Sequence, residues 1–517
     1  MLDSRLDWLR DGEHAALIRC GLRGLEKETL RVDRDGRLSS RPHPVSLGSA
    51  LTHPYLTTDF SEALLEFVTP PYPTNWEALQ FLCDMHCFTV QNLGDELLWA
   101  QSMPCVMPAS GDIPIADYGT SNLGRMKTVY RRGLGYRYGR AMQAISGVHF
   151  NFSLPSGFWE AYRDHRASSD DLRQFKSGHY MALVRNYRRH AWLLIYFFGA
   201  SPALCKSFNA KGHAVLKELD SSTWYAPFGT SLRMSDIGYR NKSQAGLQIS
   251  ANSLDDYIRG LAAAVTTPSP QYERIGVRVD GRYRQLNASI LQIENEYYTS
   301  IRPKPDLNSV DRPTIALRTA GVEYVEVRTL DVNALDPVGV NQNQLRFVET
   351  LLLYCLLSDS PPIDSAEQAE IDARDLLVAR EGRRPGLELP RRGQAASMLD
   401  WALETLAPLE AIAAILDVDG EGYVAAVDAQ RSAILDPTRT PAAQLIAEMR
   451  EARASFLEFT LALSRAHCEY FASLRLDPEK EALLRDVATQ SLQAAQRMET
   501  DSEGPFDEYL AEYFAQV

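Results

Sequence analysis

GLEKETLRV, residues 24–32, alternates its side chains with the period of two that a β-strand imposes. In that conformation Glu26, Glu28, Leu30 and Val32 point to one face, and Lys27, Thr29 and Arg31 to the other. The acids therefore sit with the aliphatic residues on a partly buried face, and the cations are expected on a solvated one. Two carboxylates ~6 Å apart at an effective dielectric of ~20 repel by roughly 3 kcal/mol. A face that carries such a pair needs a positive group to hold it.

The pattern recurs in other strand-like runs. In YVEVRTLDV (324–332), Glu326 and Arg328 share a face with Leu330 and Val332. In GVHFNFSLP (147–155), His149, Asn151 and Ser153 line one face and Val148, Phe150, Phe152 and Leu154 the other. DFSEALLEFVTP (59–70) opens on Asp59 and sets Glu66 among apolar residues. Joined in one antiparallel or mixed sheet, these strands would present Glu26, Glu28, Glu66, His149, Glu326 and Arg328 on a face open to ligand. An apolar face covered by helices would back them. A single Glu or His in such a place is ordinarily a salt-bridge partner or a satisfied core group. Five polar interruptions on separate strands repel one another, and Arg328 offsets only one of the acids. Hard oxygen donors with one imidazole suit magnesium or manganese and disfavour zinc.

Composition narrows the function further. The chain has 517 residues, 45% hydrophobic, enough for sizeable cores. A net charge of −13 argues against nucleic acid or an anionic membrane as the main partner. The opening MLDSRLDWLRDGEH is too charged for a signal peptide. The longest apolar run, AWLLIYFFGASPALC (191–205), is short for a bilayer span and contains Ser201 and Pro202, so a soluble protein is expected. Seven scattered cysteines, an odd number, suit reduced thiols in a cytoplasm. Cys83, His86 and Cys87 are spaced like metal ligands. However, Thr74 and Glu77 read as a capping box ahead of a helical apolar stripe of Trp76, Leu79, Leu82, Cys83, His86 and Val90. No second Cys/His pair closes a site, so no zinc is expected there.

Anion-binding groups are plentiful. YGTSNLGRMKT (118–128) has the Gly-x4-Gly of a P-loop, but Arg125 and Met126 stand where Lys and Ser/Thr belong, which excludes a Walker-type site. VYRRGLGYRYGR (129–140) holds four arginines, three tyrosines and no acid. TSLRMSDIGYRNKSQ (230–244) adds Arg233, Arg240 and Lys242 beside Tyr239. In an acidic chain, guanidinium forks binding phosphate or carboxylate account for these better than RNA contacts do. Up to residue 357 strand-like runs alternate with helices and turns; SDSPPIDS (358–365) reads as a break. Beyond it MLDWALETLAPLEAIAAILD and QLIAEMREARASFLEFTLALSRA have helical periodicity, and GRRPGLELPRRG (382–393) reads as an exposed loop. No internal repeat is present.

Several of these segments in order resemble the bacterial glutamate–cysteine ligase family (γ-glutamylcysteine synthetase, type 1). They are GLEKETLRV, SALTHPYLTTDFSEALLEFVTP, YGTSNLGRMKTVYRRGL, ISGVHFNFSLP, FGTSLRMSDIGY, LQIENEYYTSIRPK and GVEYVEVRTLDVN, with EGRRPGLEL (381–389) as a further one. The final hundred or so residues match only in helical character. The resemblance implies an α+β fold like the catalytic domain of glutamine synthetase, with a curved, largely antiparallel sheet. It divides the chain into a catalytic domain over 1–357 and a helical region, 358–517, packed on it. It implies that ATP, L-glutamate and L-cysteine give γ-glutamylcysteine, ADP and phosphate through γ-glutamyl phosphate, the first step of glutathione synthesis.

Carried over by position, Glu26, Glu28, Glu66, His149 and Glu326 resemble the family's metal ligands for Mg²⁺ or Mn²⁺, and Arg328 its phosphoryl-stabilising arginine. Asp59 falls where the attacking amine is oriented or loses its proton. Phe60, Tyr130, Leu134, Tyr239 and Tyr298 resemble the pocket for the cysteine side chain. Gln143 and Ile145 fall at the glutamate site, and Arg131 and Arg233 serve carboxylate or phosphate groups. A monomer in the cytoplasm is expected, with glutathione as an inhibitor at the substrate sites. Two alternatives stand beside this: another carboxylate–amine ligase on the same fold, and a non-catalytic metal or nucleotide sensor with a helical partner-binding region.

Overall fold

A computed structural model describes residues 2–104, 106–108, 112–209, 212–238, 246–306, 312–418, 420–502 and 504–516. At its centre is a seven-stranded sheet: β1 (Leu22–Val32), β2 (Leu56–Thr58), β3 (Leu64–Val68), β4 (Leu97–Leu98), β5 (Gly147–Ser153), β6 (Ile301–Lys304) and β7 (Tyr324–Asp331). The order is β6-β7-β5-β1-β3-β2, with β4 paired to the end of β1. Every pairing among these strands is antiparallel. The opening strand is therefore central, flanked by β3 and β5 together. Register sets Glu28 opposite Glu66, and Glu26 opposite Val68 on one side and His149 on the other.

Helices α1 (Asn75–Asn92) and α3 (Leu172–Phe198) cover the opposite face, and α2 (Asn122–Tyr138) lies beside the site. In α3 every residue from Ala191 to Phe198 is buried. Each such large apolar side chain contributes about 1.5–3 kcal/mol by leaving water. Further helices pack around this layer: α4 (Gln342–Leu357) and α5 (Ser365–Glu381) on α3, then α6 (Met398–Leu416), α7 (Phe456–Ser473) against α1, α8 (Pro478–Thr500) and α9 (Phe506–Ala515). This is the expected α+β architecture. Among the described residues no helix is long and apolar enough to cross a membrane.

The structure departs from the sequence reading at five points. The cations of the first strand are not solvated: Lys27 is 3% exposed and Arg31 0%. Helix α1 lies over Lys27, whose Nζ is 2.8 Å from His86 Nε2, while Arg31 donates to Glu96 at 2.7 Å and to two backbone carbonyls. Second, Leu330 does not share a face with Glu326. The β7–β5 register slips by one residue between Val327 and Leu330, so that Leu330 pairs with Val148 on the apolar side and Asp331 turns to the site side. A β-bulge reverses the alternation in this way. Third, the α1 core face runs through Ala78, Phe81, Leu82, Met85 and His86, and Trp76 is 56% exposed. Fourth, 382–393 is not all loop: Glu388–Arg391 pairs with Gln394–Ser397 as a hairpin turning on Arg392 and Gly393, both with positive φ. The run 444–466 is also divided, into a helix ending at Glu451 and α7.

Candidate active site

The five candidate ligands converge on one face of the sheet because they occupy adjoining register positions on β1, β3, β5 and β7. Glu26 Oε2 lies 3.1 Å from His149 Nδ1, and its other oxygen accepts from Asn151 Nδ2 at 2.9 Å. Glu326 Oε1 is 3.4 Å from the same His149 nitrogen. Glu28 accepts from the Gly147 amide at 2.7 Å and stands 4.0 Å from His149 Nε2. Glu26, Glu66 and His149 each offer a ligand atom within 4.8 Å of the others. The contact of Nδ1 with Glu26 puts the imidazole proton on that nitrogen and leaves the Nε2 lone pair toward Glu28. That Nε2 is buried and makes no hydrogen bond.

Charge is distributed unevenly within the cluster. Burial opposes ionisation of Glu326, but Lys304 at 3.1 Å, Arg328 at 2.6 Å and Arg302 hold its carboxyl well below the usual range. Burial and Glu326 oppose ionisation of Glu26, yet the contact with His149 and the charge of Lys304 keep it low. Glu28 is different. Burial and Asp59 push its carboxyl up to about 8 despite Arg233, Arg328 and the Gly147 amide. Burial, Asp59, Glu26 and Glu28 raise Glu66 well above the ordinary range. Burial and Arg328 lower His149, so the imidazole is neutral near pH 7. The cations already neutralise one side of the cluster. The other side holds protons that a divalent cation would displace, next to an unpartnered imidazole nitrogen. The residues present fit magnesium or manganese.

Two arginines border this cluster. Arg328 donates Nη1 to Glu326, and Arg233 donates Nη2 to the Arg328 carbonyl at 3.0 Å. The Arg233 guanidinium occupies the space a Cβ would need at Gly147, which is why a glycine opens β5. Behind it sits Asp331, which the bulge brings round. It accepts from Ser201 Oγ at 2.6 Å, the Ala200 amide at 2.8 Å and Ser231 Oγ at 2.9 Å, and lies 3.7 Å from Arg233. Both arginines border a cavity of about 620 Å³, whose walls also include Tyr298, Ser300, Gln368 and Asp372.

On the other side of the cluster, loop 58–60 meets α2. Arg131 donates to the Asp59, Thr58 and Lys127 carbonyls, and its guanidinium lies over Tyr118, 4.5 Å from the ring centre. Phe60 is fully buried and would touch a Cβ at Gly135 of α2 at 3.5 Å. Gln143 and Tyr298 exchange hydrogen bonds of 2.8 and 3.1 Å. Leu134 and Ile145 are buried, and Tyr130 half-buried. Of the described residues of this expected pocket only Tyr298 borders the large cavity; Phe60, Leu134 and Ile145 belong to the main core and Tyr130 packs against it. Tyr239 lies outside the described residues. The P-loop-like stretch is no phosphate cradle: Ser121 Oγ caps α2 on the Gly124 amide, and Glu499 and Ser502 take the neighbouring Thr120 and Asn122 amides.

Sequence reasoning missed Asp331, Arg302 and Lys304, and it put Asn151 on the His149 face without giving it a role. Arg302 and Lys304 were accessible to it, since they alternate along IRPK on the strand facing Glu326. Asp331 was hidden by the bulge.

An antiparallel sheet that gathers four carboxylates, an imidazole and two arginines beside a cavity has the donors that divalent cations and phosphate groups take. The glutamate–cysteine ligase family profile matches residues 6–378. Glutamate–cysteine ligases of Pseudomonas putida and Alcanivorax borkumensis are 46% and 44% identical, over 100% and 99% of this chain and 98% and 99% of the relatives. A crystal structure of a glutamate–cysteine ligase from Francisella tularensis in complex with AMP aligns with a TM-score of 0.90 at 38% identity, covering 96% of this chain and 97% of that one. A bifunctional glutathione synthetase from Pasteurella multocida shares the fold, with a TM-score of 0.74 at 23% identity over 94% of this chain and 58% of that chain. The chain belongs to the glutamate–cysteine ligase family. The likeness runs through the C-terminal helices as well, which the sequence segments alone did not reveal.

Proposed function

We propose that this chain joins the γ-carboxylate of L-glutamate to the amine of L-cysteine, converting ATP to ADP and phosphate. The observation that carries this reading, beyond family membership, is the half-neutralised acid cluster with Arg328 and Arg233 between it and the cavity. A carboxylate oxygen of glutamate attacks the γ-phosphorus of ATP and displaces ADP. The cysteine amine then attacks the acyl carbon of γ-glutamyl phosphate, losing a proton and displacing phosphate. Glu26, Glu28, Glu66, His149 and Glu326 would hold Mg²⁺ or Mn²⁺, which spreads phosphoryl charge. Arg328 and Arg233 donate to the moving phosphoryl oxygens, where preorganised donors act most strongly. Asp59 orients the amine and takes its proton, while Arg131, through the Thr58 and Asp59 carbonyls, fixes the loop that carries Asp59. Phe60, Tyr130, Leu134 and Tyr298 form the cysteine pocket. Gln143 and Ile145 border the glutamate site.

The cavity beside Arg233 and Arg328 has room for a nucleotide, in the range usual for ligand pockets. Residues 358–517 would act as a helical layer on the part formed by 1–357, with Gln368 and Asp372 of that layer also walling the cavity. The protein works as a cytoplasmic monomer, in keeping with six described cysteines that are all free. Glutathione would compete at the substrate sites. ADP release measured against a panel of amino acids tests the reading. Release should require cysteine, with 2-aminobutyrate as a weaker substitute because a thiol and a methyl differ little in a small apolar pocket. Preference for another amine would point to a different ligase, and no amine-dependent release to a sensor. Activity should also need Mg²⁺ or Mn²⁺ and survive a zinc-selective chelator.

A further inference from the structure

We propose that the last two helices, α8 and α9, are a positioning element that sets the distance between the two walls of the amine pocket; this rests on the pocket reading above. One wall is the segment leading to Asp59 and Phe60. The other is α2, which carries Tyr130, Arg131 and Leu134. The C-terminal segment holds both from outside.

Its grip on the first wall is close. Gly48 has φ +87°, and a Cβ there would lie 2.9 Å from Ala488 Cα, so the loop and α8 touch backbone to backbone. The Ser49 amide donates to Ser491 Oγ at 2.9 Å, and Thr52 Oγ1 to the Ser491 carbonyl at 2.6 Å. Thr57 Oγ1 donates back to the Ala50 carbonyl at 2.6 Å, tying the loop to β2 immediately before Asp59.

The grip on the second wall is at the start of α2. Its first amides have no intrahelical partner, and the tail supplies one for Asn122 and for Thr120 just ahead of the helix. Glu499 Oε1 accepts from the Thr120 amide and Ser502 Oγ from the Asn122 amide, both at 2.9 Å, and the Gly504 carbonyl accepts from Asn122 Nδ2 at 3.3 Å. One turn on, Phe506 and Leu510 of α9 form a separate small core with Met126 and Val129 of α2 and with Leu286. The Arg125 guanidinium lies 4.4 Å from the Phe506 ring centre. Tyr130 packs against this small core and against the main core at once. A displacement of α9 therefore reaches the pocket wall through Tyr130. The end of α9 is itself pinned: the Gln516 carbonyl accepts from Arg312 Nη1 at 2.9 Å.

None of the α8 and α9 groups in these contacts belongs to the acid cluster or lines the cavity, so loosening them should alter the binding of cysteine far more than that of the other substrates. In the full-length chain, Phe506→Ala/Leu510→Ala should raise the KM for cysteine about tenfold, about 1.4 kcal/mol, with the KM values for ATP and glutamate within about twofold. Ser502→Ala, which leaves the small core intact, should shift the KM for cysteine the same way by a smaller factor. It decides the question if the double variant does not fold. Equal changes in all three KM values, or a lower active fraction with every KM unchanged, would reduce the segment to a stabilising element and overturn the proposal. Leu134→Ala separates this from the pocket reading. If that variant raises the KM for cysteine while the tail variants do not, the positioning role fails alone. If Leu134→Ala has no effect either, the pocket has been placed wrongly.

Discussion

The two faces of β1 carry buried charge in opposite ways. On the helix-covered face each cation has its own partner. Arg23 donates from Nε and Nη2 to the two oxygens of Glu349, which also accepts from Asn75 and Tyr423 at 2.9 Å; Arg31 meets Glu96, and Lys27 meets His86. Burial brings Lys27 down to about 7, so this lysine need not stay charged without a carboxylate. On the site face the acids outnumber what Lys304, Arg328 and Arg302 can offset. Two carboxyls are forced upward and an imidazole nitrogen has no partner. Burying charge is tolerable where it is paired and hydrogen-bonded. The incomplete set on the opposite face of the same strand has the donor chemistry of a cation-binding cluster. It does not mark weak packing.

Breaking a pair on the covered face should produce the largest loss of stability. Glu349→Ala leaves Arg23 buried and unpaired, which costs about 3–5 kcal/mol in urea unfolding, while kcat per folded molecule stays within about twofold. A fall in kcat without a loss of stability would erase the contrast between the faces. The mirror experiment is Arg328→Lys. It keeps the charge beside Glu326 but loses the planar fork, so kcat should drop on the order of 10²–10³ with little change in melting temperature. A near-normal kcat in a strongly destabilised protein would make Arg328 a structural counter-ion.

Glu28 sharpens the comparison through pH. Its folded carboxyl is near 8 against an ordinary 4.5, so the metal-free folded chain keeps a proton that the unfolded chain releases. Stability with EDTA should then fall as pH rises from 4.5 to about 8, because the folded state binds more protons there. Glu28→Gln should flatten much of that slope and weaken magnesium binding. A melting temperature that drops sharply in metal-free Glu28→Gln would instead make Glu28 a structural partner. The smallest effect is expected at the pocket's edge. Tyr298→Phe removes the exchange with Gln143, about 0.5–1.5 kcal/mol, and should change a substrate KM only several-fold in steady-state assays.

Much of the site was legible because strand alternation is local. Glu26, Glu28, Glu66, His149, Glu326 and Arg328 could be put on one face from period two alone, and their register then brings them together. The cations of β1 could not be read in this way. Whether Lys27 and Arg31 meet water depends on α1, α7 and Glu96, and the partner of Arg23 lies 326 residues away. Nothing in their own alternation encodes a covering helix.

The sequence by itself determined the class of fold, the acid-bearing strands, the chemistry of their donors and the family. The strands and donors rest on residue type and spacing within a few positions, and the fold class and family on the resemblance of several segments in order. Only the tertiary structure decided that one extra residue in β7 turns Asp331 toward Arg233, and that the final helices close over the start of α2. Both depend on strand register and on contacts between segments hundreds of residues apart, where no local periodicity reaches.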